Sequence, residues 1–182
     1  MAQQLDVLIG RVDVQPYAQV AINSSEEKFL TPATLEAQNM DLKPALGNIF
    51  WTDILAKKTE EKYVLLLDGG EYDDSAGNTL TFQGLKAALA CFSYSRYLDS
   101  RTVIDTSFGA VSKASEFSDK ADPKSIAVMV AKKKAVGQKY LEEVIDFLNE
   151  KSDEYDLWEK ECKSKEQPYG PSVVKIRAIG RV

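Results

Sequence analysis

The segment from Phe82 to about Leu98 constrains the fold more than any other part of the chain. Leu85, Ala88, Leu89, Phe92 and Tyr97 recur at helical spacing, and Ala87, Ala90, Cys91 and Tyr94 fill most of the remaining girth. A helix that is apolar on nearly every side is stable only when other elements surround it. The segment is therefore predicted to be the central helix of a bundle, with Thr81 placed to cap it.

Partners for that helix can be read on both sides of it. Thr31 is a candidate cap and Pro32 suits a first helical position, so a helix carrying Leu35, Gln38, Asn39 and Leu42 is expected up to Pro44. Pro44 begins or kinks a second helix, along which Leu46, Ile49, Phe50, Ile54 and Leu55 recur before Lys57 and Lys58, with Trp51 beside that face. After the central helix, Asp122 and Pro123 open a long helix to about Glu150, with Ile126, Met129, Val130, Val136, Tyr140, Val144, Phe147 and Leu148 on one side. At 1.5 Å per residue it is about 40 Å long. A further helix from Ser152 to about Cys162 carries Tyr155, Leu157 and Trp158.

The rest of the pattern is not helical. Tyr63 to Leu67 is a short apolar run that halts at Asp68-Gly69-Gly70, and residues 68–81 read as a Gly-, Asp- and Ser-rich surface loop. Residues 101–114 hold β-branched side chains around Gly109 and read as a hairpin or extended lobe. The fold class is thus mainly α: a bundle of about five helices over residues 26–165, with a small β-hairpin-like excursion. An extended arm over residues 1–25 and an extended tail over residues 166–182 flank it. Pro168-Tyr169-Gly170-Pro171 breaks the chain before the alternating Val173, Val174, Ile176, Ala178 and Ile179. The amino-terminal arm, with Tyr17, Val20 and Ile22 in loose alternation, either lies on its own domain or reaches a neighbouring subunit.

Composition limits chemistry more than fold. The chain has no histidine, which removes serine triads, imidazole metal ligation and the usual general base near neutral pH. Two cysteines, Cys91 and Cys162, make neither a disulfide framework nor a four-ligand zinc site, and they suit a reducing cytosol. No signal peptide and no apolar run of membrane-spanning length is present, so a soluble protein without membrane contact is expected. Carboxylate-only chemistry survives in principle. The acidic loop 68–78 is the nearest thing to a cation site, but its spacing does not match the alternating ligands of an EF-hand, and Gly69-Gly70 lacks the Lys-Ser/Thr ending of a phosphate loop. Glu142 and Asp146 share a helix face without any sign of a catalytic environment. Lys132-Lys133-Lys134 reads as a solvated face or an ion-pair partner rather than a nucleic-acid contact, and the aromatic set as core rather than a base-stacking platform. No enzyme, no cofactor and no metal are expected.

Charge is unevenly placed. Residues 1–91 hold 7 Lys and Arg against 13 Asp and Glu, and residues 92–182 hold 16 against 15, for a net charge of −5. The tail from Pro171 to Val182 contains Lys175, Arg177 and Arg181 and no acid. Such polarity suits subunits that meet unlike faces of their neighbours, or a solvated acidic surface with no partner. The candidate interaction segments are therefore Tyr17, Val20 and Ile22 in the arm and Val173, Val174, Lys175, Ile176, Arg177 and Arg181 in the tail, where alternation favours strand addition to another chain.

Several runs carry a resemblance: Leu42-Lys43-Pro44-Ala45-Leu46-Gly47, then Leu66-Leu67-Asp68-Gly69-Gly70-Glu71-Tyr72, then Phe82-Gln83-Gly84-Leu85-Lys86-Ala87-Ala88-Leu89 leading to Tyr94-Ser95-Arg96-Tyr97, and later Tyr155-Asp156-Leu157-Trp158. Over roughly residues 28–160 the chain resembles a virion-protein family of phages and prophages of gut Bacteroidales. That family in turn resembles the helical head-to-tail connector, or adaptor, proteins of tailed phages, including the ring proteins of crAss-like phages. The resemblance implies a small helical subunit in the neck of the virion, assembled in the host cytoplasm as a ring of about twelve copies below the portal. Its partners would be copies of itself, the portal and other neck and tail proteins, with DNA passing through without sequence-specific binding. A non-catalytic cytoplasmic binding module and a carboxylate-metal enzyme are the rival readings.

Overall fold

The structure is a computed structural model and describes residues 7–20, 25–100, 104–106, 109–111 and 122–158. It is mainly α, as expected, with five substantial helical rods, three single helical turns, and two small antiparallel hairpins among the described residues.

The amino-terminal segment is not an extended arm where it is described. Residues 11–14 form a helical turn, α1 (Arg11–Val14), and Ile9, Val14, Ala18 and Val20 are buried in the main core. The Leu8 amide donates to Gln38 Oε1 at 2.9 Å, and the Tyr94 hydroxyl donates to the Gln19 carbonyl at 3.1 Å. Spaced apolar residues bind the segment to its own domain. Residues 7–20 therefore pack as part of the helical domain.

One helical rod then runs from Glu26 to Leu46. It consists of a π-helical stretch (Glu26–Leu30), α2 (Thr31–Ala37), a second π-helical stretch (Gln38–Leu42) and α3 (Lys43–Leu46). Ser25, not Thr31, is the cap; its hydroxyl accepts from the Lys28 amide. Pro32 and Pro44 do not break the rod, for a reason visible in the π stretches. A proline ring crowds the carbonyl four residues back and cannot donate to it. Those carbonyls belong to Lys28 and Met40, and each lies inside a widened turn. The break comes at Gly47, whose φ of 86° favours glycine. Beyond it lie α4 (Asn48–Lys57), which buries Phe50, Trp51 and Ile54, and α5 (Glu61–Asp68), which buries Tyr63, Leu66 and Leu67. The apolar run 63–67 is thus a helix rather than a bare stretch before a loop.

The expected loop 68–81 is mostly a β-hairpin, β1 (Gly70–Asp73) paired with β2 (Thr79–Phe82) in the register Gly70 to Phe82 and Asp73 to Thr79. Its tip is closed by Asp74, which accepts from the amides of Ala76 and Asn78 and from Asn78 Nδ2. These donors hold the exposed Asp74 carboxyl below the usual range, the Asn78 side chain most of all. At the base of the hairpin two chains cross at Gly69 (φ 82°) and Gly84 (φ 79°). A Cβ on Gly84 would lie 2.3 Å from the Gly69 nitrogen, and one on Gly69 would lie 2.5 Å from the Phe82 carbonyl oxygen. Only glycine satisfies both the backbone angle and the approach.

The crossing launches α6 (Gly84–Ser100), so Gly84 rather than Thr81 stands at its start. As its sequence requires, α6 buries Leu85, Ala87 to Ser95 and Tyr97. The excursion expected over 101–114 contains β3 (Ile104–Thr106) and β4 (Gly109–Val111), paired antiparallel. Then α7 (Pro123–Glu150) packs along α6, closest at Gly137, where a Cβ would be 3.0 Å from the Phe92 ring and 3.2 Å from the Ala88 carbonyl. Asp122 takes the cap position of α7, but its side chain receives the Ser125 hydroxyl and no amide.

After α7 the helix expected over 152–162 is replaced, as far as residue 158, by a 3₁₀ turn (Ser152–Glu154) and one further helical turn. This segment returns Tyr155 and Trp158 to the core. The Tyr155 hydroxyl donates to the Lys62 carbonyl at 2.7 Å, and Trp158 Nε1 donates to Asn149 Oδ1 at 3.1 Å. Both join an aromatic cluster in which Phe82 stacks on Phe147 with centroids 4.3 Å apart, and Tyr72, Tyr155, Phe50 and Tyr63 meet edge to face. The tail 166–182 lies outside the described residues.

Two outcomes follow from this packing. Gly84→Ala should lower stability by several kcal/mol, since positive φ and a backbone clash combine; a urea midpoint equal to that of the parent would contradict the crossing. Burial chiefly, and for Tyr63 its hydrogen bond to Asp53 as well, raises the pKa of Tyr63 and Tyr155 above the ordinary tyrosine value. Their folded pKa being raised, the stability they contribute is complete below about pH 10 and lost as pH climbs above it. Absorbance of ionised tyrosine and far-ultraviolet circular dichroism should therefore change together above pH 10; ionisation of every tyrosine in a still-folded protein would refute this.

Candidate functional site

The described residues offer three polar or exposed features that could carry function. The first is a cavity of about 150 Å³ lined by Asp41, Ser95, Arg96, Asp99, Val130 and Lys134, where the 26–46 rod, α6 and α7 meet. Arg96 forks Asp41 with Nε at 2.8 Å and its second terminal nitrogen at 3.1 Å, and also reaches Glu36 at 2.5 Å. Hydrogen bonding to Asp41 raises the Arg96 pKa further. Ser95 donates its hydroxyl to the Phe92 carbonyl at 2.7 Å. A guanidinium held by two carboxylates and a serine bound to its own helix form a clamp between helices; this arrangement fixes geometry and presents no activated nucleophile. Among the described residues, no group of three or more Cys, Asp or Glu is placed to hold a metal ion, and no helix is long and apolar enough to cross a membrane.

The second feature is the outer side of α7. The sequence pattern puts Met129 and Val136 on the core stripe, and the structure corrects this. The inward row is Ile126, Val130, Lys133, Gly137, Leu141, Val144 and Leu148, and Lys133 Nζ donates to the Tyr17 carbonyl. Val128 is 52% exposed, Met129 48% and Val136 38%. Lys124, Val128, Lys132 and Val136 follow one another at four-residue steps, which places them on a single ridge with Met129 beside it. The inward side of α7 is core; the outer side of its first half is exposed.

The third feature lies at the opposite end of α7. The hairpin lies on that end, with the Ser75 amide donating to Glu150 at 3.0 Å and Tyr72 packed on Phe147. Burial raises the Tyr72 pKa, and the carboxylates of Asp146, Glu150, Asp74 and Glu143 raise it further, which measures how acidic this end is. Leu80, opposite Tyr72 in the hairpin register, is 40% exposed among these acids.

The residues singled out from sequence fall differently. Tyr17 is partly buried and meets Tyr140 edge to face at 6.1 Å, and Val20 is buried, so both contribute to the protein's own core. Ile22, Val173, Val174, Lys175, Ile176, Arg177 and Arg181 lie outside the described residues. Of the lysine run, Lys133 is the inward member, and Lys132 sits on the outer ridge. The ridge had a signal that the lysine run shows only in part. Residues 123–141 contain five lysines and no acid, and residues 142–150 contain four acids and no lysine.

A family model described as "Family of unknown function (DUF6712)" matches residues 42–168. The chain belongs to that family. The match takes in the glycine crossing, α6, α7 and the aromatic cluster, and the description names no activity, ligand or partner. No curated protein and no solved structure matches the chain.

The division of α7 has a direct check. Val128→Ser and Met129→Ser should change stability by less than about 0.5 kcal/mol, as at ordinary surface positions. Leu141→Ala, on the inward row, should cost about 2–5 kcal/mol. Equal losses at ridge and inward positions, read from denaturant midpoints, would show that the ridge is covered within the monomer.

Proposed function

We propose that the protein is a structural virion component, a head-to-tail connector that assembles as a ring below the portal and joins capsid to tail. The observation that carries this reading is the uncovered front half of α7. Exposed Val128, Met129 and Val136 form one contiguous ridge on a rigid helix whose other end is anchored in the core. An apolar ridge of this kind on a folded domain marks a contact with another protein. A ring subunit requires such a contact surface on a body stiff enough to repeat, and burial of α6 on nearly all sides supplies the stiffness.

The resemblance to the connector family of Bacteroidales phages points the same way. It supplies the parts of the reading that geometry does not: copies of the same chain as partners, a ring of about twelve, the portal and other neck and tail proteins, and a location in the virion neck after assembly in the host cytoplasm. DNA would pass through the ring without base-specific contact. The basic tail from Pro171 to Val182 fits attachment to acidic neighbours. A binding module for some other protein would use the same ridge. A carboxylate-metal enzyme has less support, because Asp74, Asp41, Glu36 and Asp53 are each engaged with turn amides or cations.

Negative-stain microscopy of the purified protein, alone and mixed with the portal of the same phage, tests the proposal. Rings, or rings seated on portals, are expected. Deleting residues 171–182 should abolish attachment while leaving the melting temperature nearly unchanged. Single small particles that never associate with the portal would exclude the connector role.

A further inference from the structure

The outer face of α7 carries opposite charge at its two ends, in the order that the helix itself disfavours. A helix amino terminus stabilises acids and its carboxyl terminus stabilises cations. Here the first turn holds no acid and the last turn no base; Lys124 sits at the start and Glu150 at the end. The arrangement is therefore not explained by the energetics of an isolated helix. A second chain would explain it.

The two ends also match in more than sign. At the front, Lys124 and Lys132 are exposed and alternate with Val128 and Val136 along one ridge, so cations flank an apolar strip. At the rear, exposed Asp146 and Glu150 act, with Asp74, on Tyr72, whose partner across the hairpin is exposed Leu80. An apolar centre with a charged rim is the anatomy of a protein contact, and the two rims are complementary.

We propose that the front half of α7 in one copy seats on the acidic hairpin end of a second copy, with Val128 and Val136 against Leu80 and with Lys124 and Lys132 facing Asp146 and Glu150. The contact rests on the self-assembly proposed above and names its surfaces. It joins unlike patches of the same chain, and the symmetry of the assembly is set by whether one or both such contacts form between a given pair.

Sedimentation velocity at high micromolar protein tests it with two variants. K124E/K132E reverses the front; the first change puts acid in the first turn, which the helix dipole favours, and Lys132 is exposed, so the fold is retained. D146K/E150K reverses the two rear acids that face those lysines and leaves Leu80 in place; cations near the helix carboxyl terminus suit its dipole, and a melting curve checks that it remains folded. Wild-type protein should assemble, and raising salt from about 0.1 M to about 1 M should dissolve the assembly as the Debye length falls from about 10 Å to about 3 Å. Each variant alone should remain monomeric. Mixed in equal amounts they should assemble again, because positions 124 and 132 of one variant then face side chains of opposite charge at positions 146 and 150 of the other.

Assembly by each variant alone, or no recovery on mixing, overturns the contact. If the variants form the same rings as wild type, the contact is wrong and the ring stands. If wild type stops at a dimer that both variants abolish and mixing restores, the contact stands and the ring does not. Wild type that stays monomeric under all conditions overturns both and leaves the ridge to a different protein.

Discussion

Helix α6 presents apolar side chains in every direction, and the remainder of the domain is arranged to keep water from them. The 26–46 rod, α5 and α7 cover it on different sides, and α1 and the segment to Val20 close what remains. Each covering element needs only one apolar side, so each can be amphipathic and carry charge outward. The chain enters α6 through the Gly69–Gly84 crossing. Two backbones approach there more closely than any side chain permits, which sets the angle between α5, the hairpin and α6. Gly69 and Gly84 are required at this crossing for a steric reason. Asp68 and Lys86 add an ion pair across it at 2.6 Å, a surface contribution of modest size.

Where burial decides structure, the sequence was legible. The all-round apolar pattern of 82–98 identified α6, and Pro123 with a long stripe identified α7 as far as Glu150. Legibility failed where geometry other than periodicity decides. Proline is an ordinary helix breaker, but widened π turns at 26–30 and 38–42 accommodate Pro32 and Pro44, so the break falls at Gly47 rather than at Pro44. Loose alternation in residues 7–20 suggested an extended arm because its partners, Gln38, Tyr94 and Lys133, are far away in sequence. The hairpin hid within a Gly- and Asp-rich stretch because its strands are only four residues each.

The candidate site was legible only in part. Helical spacing cannot say how far along a helix its partner extends. Met129 and Val136 therefore read as core, although the inward row at that level is Ile126, Val130 and Lys133. The separation of five lysines from four acids along α7 was present in the sequence, but its meaning depends on the hairpin being brought beside the acidic end. Arg96, likewise, is one cation among many in the sequence. In the fold it is the clamp that fixes the 26–46 rod to α6.

Hydrogen exchange resolved along α7 measures the central claim most directly, since amide protection reports local opening and burial together. In dilute protein at high salt, residues 123–136 should exchange much faster than residues 141–148. In concentrated protein at low salt, the front half should slow toward the rate of the rear while α6 is unchanged. Equal protection of both halves under dilute conditions, or a front half whose exchange is indifferent to concentration, would contradict the assignment of this surface to a contact between chains.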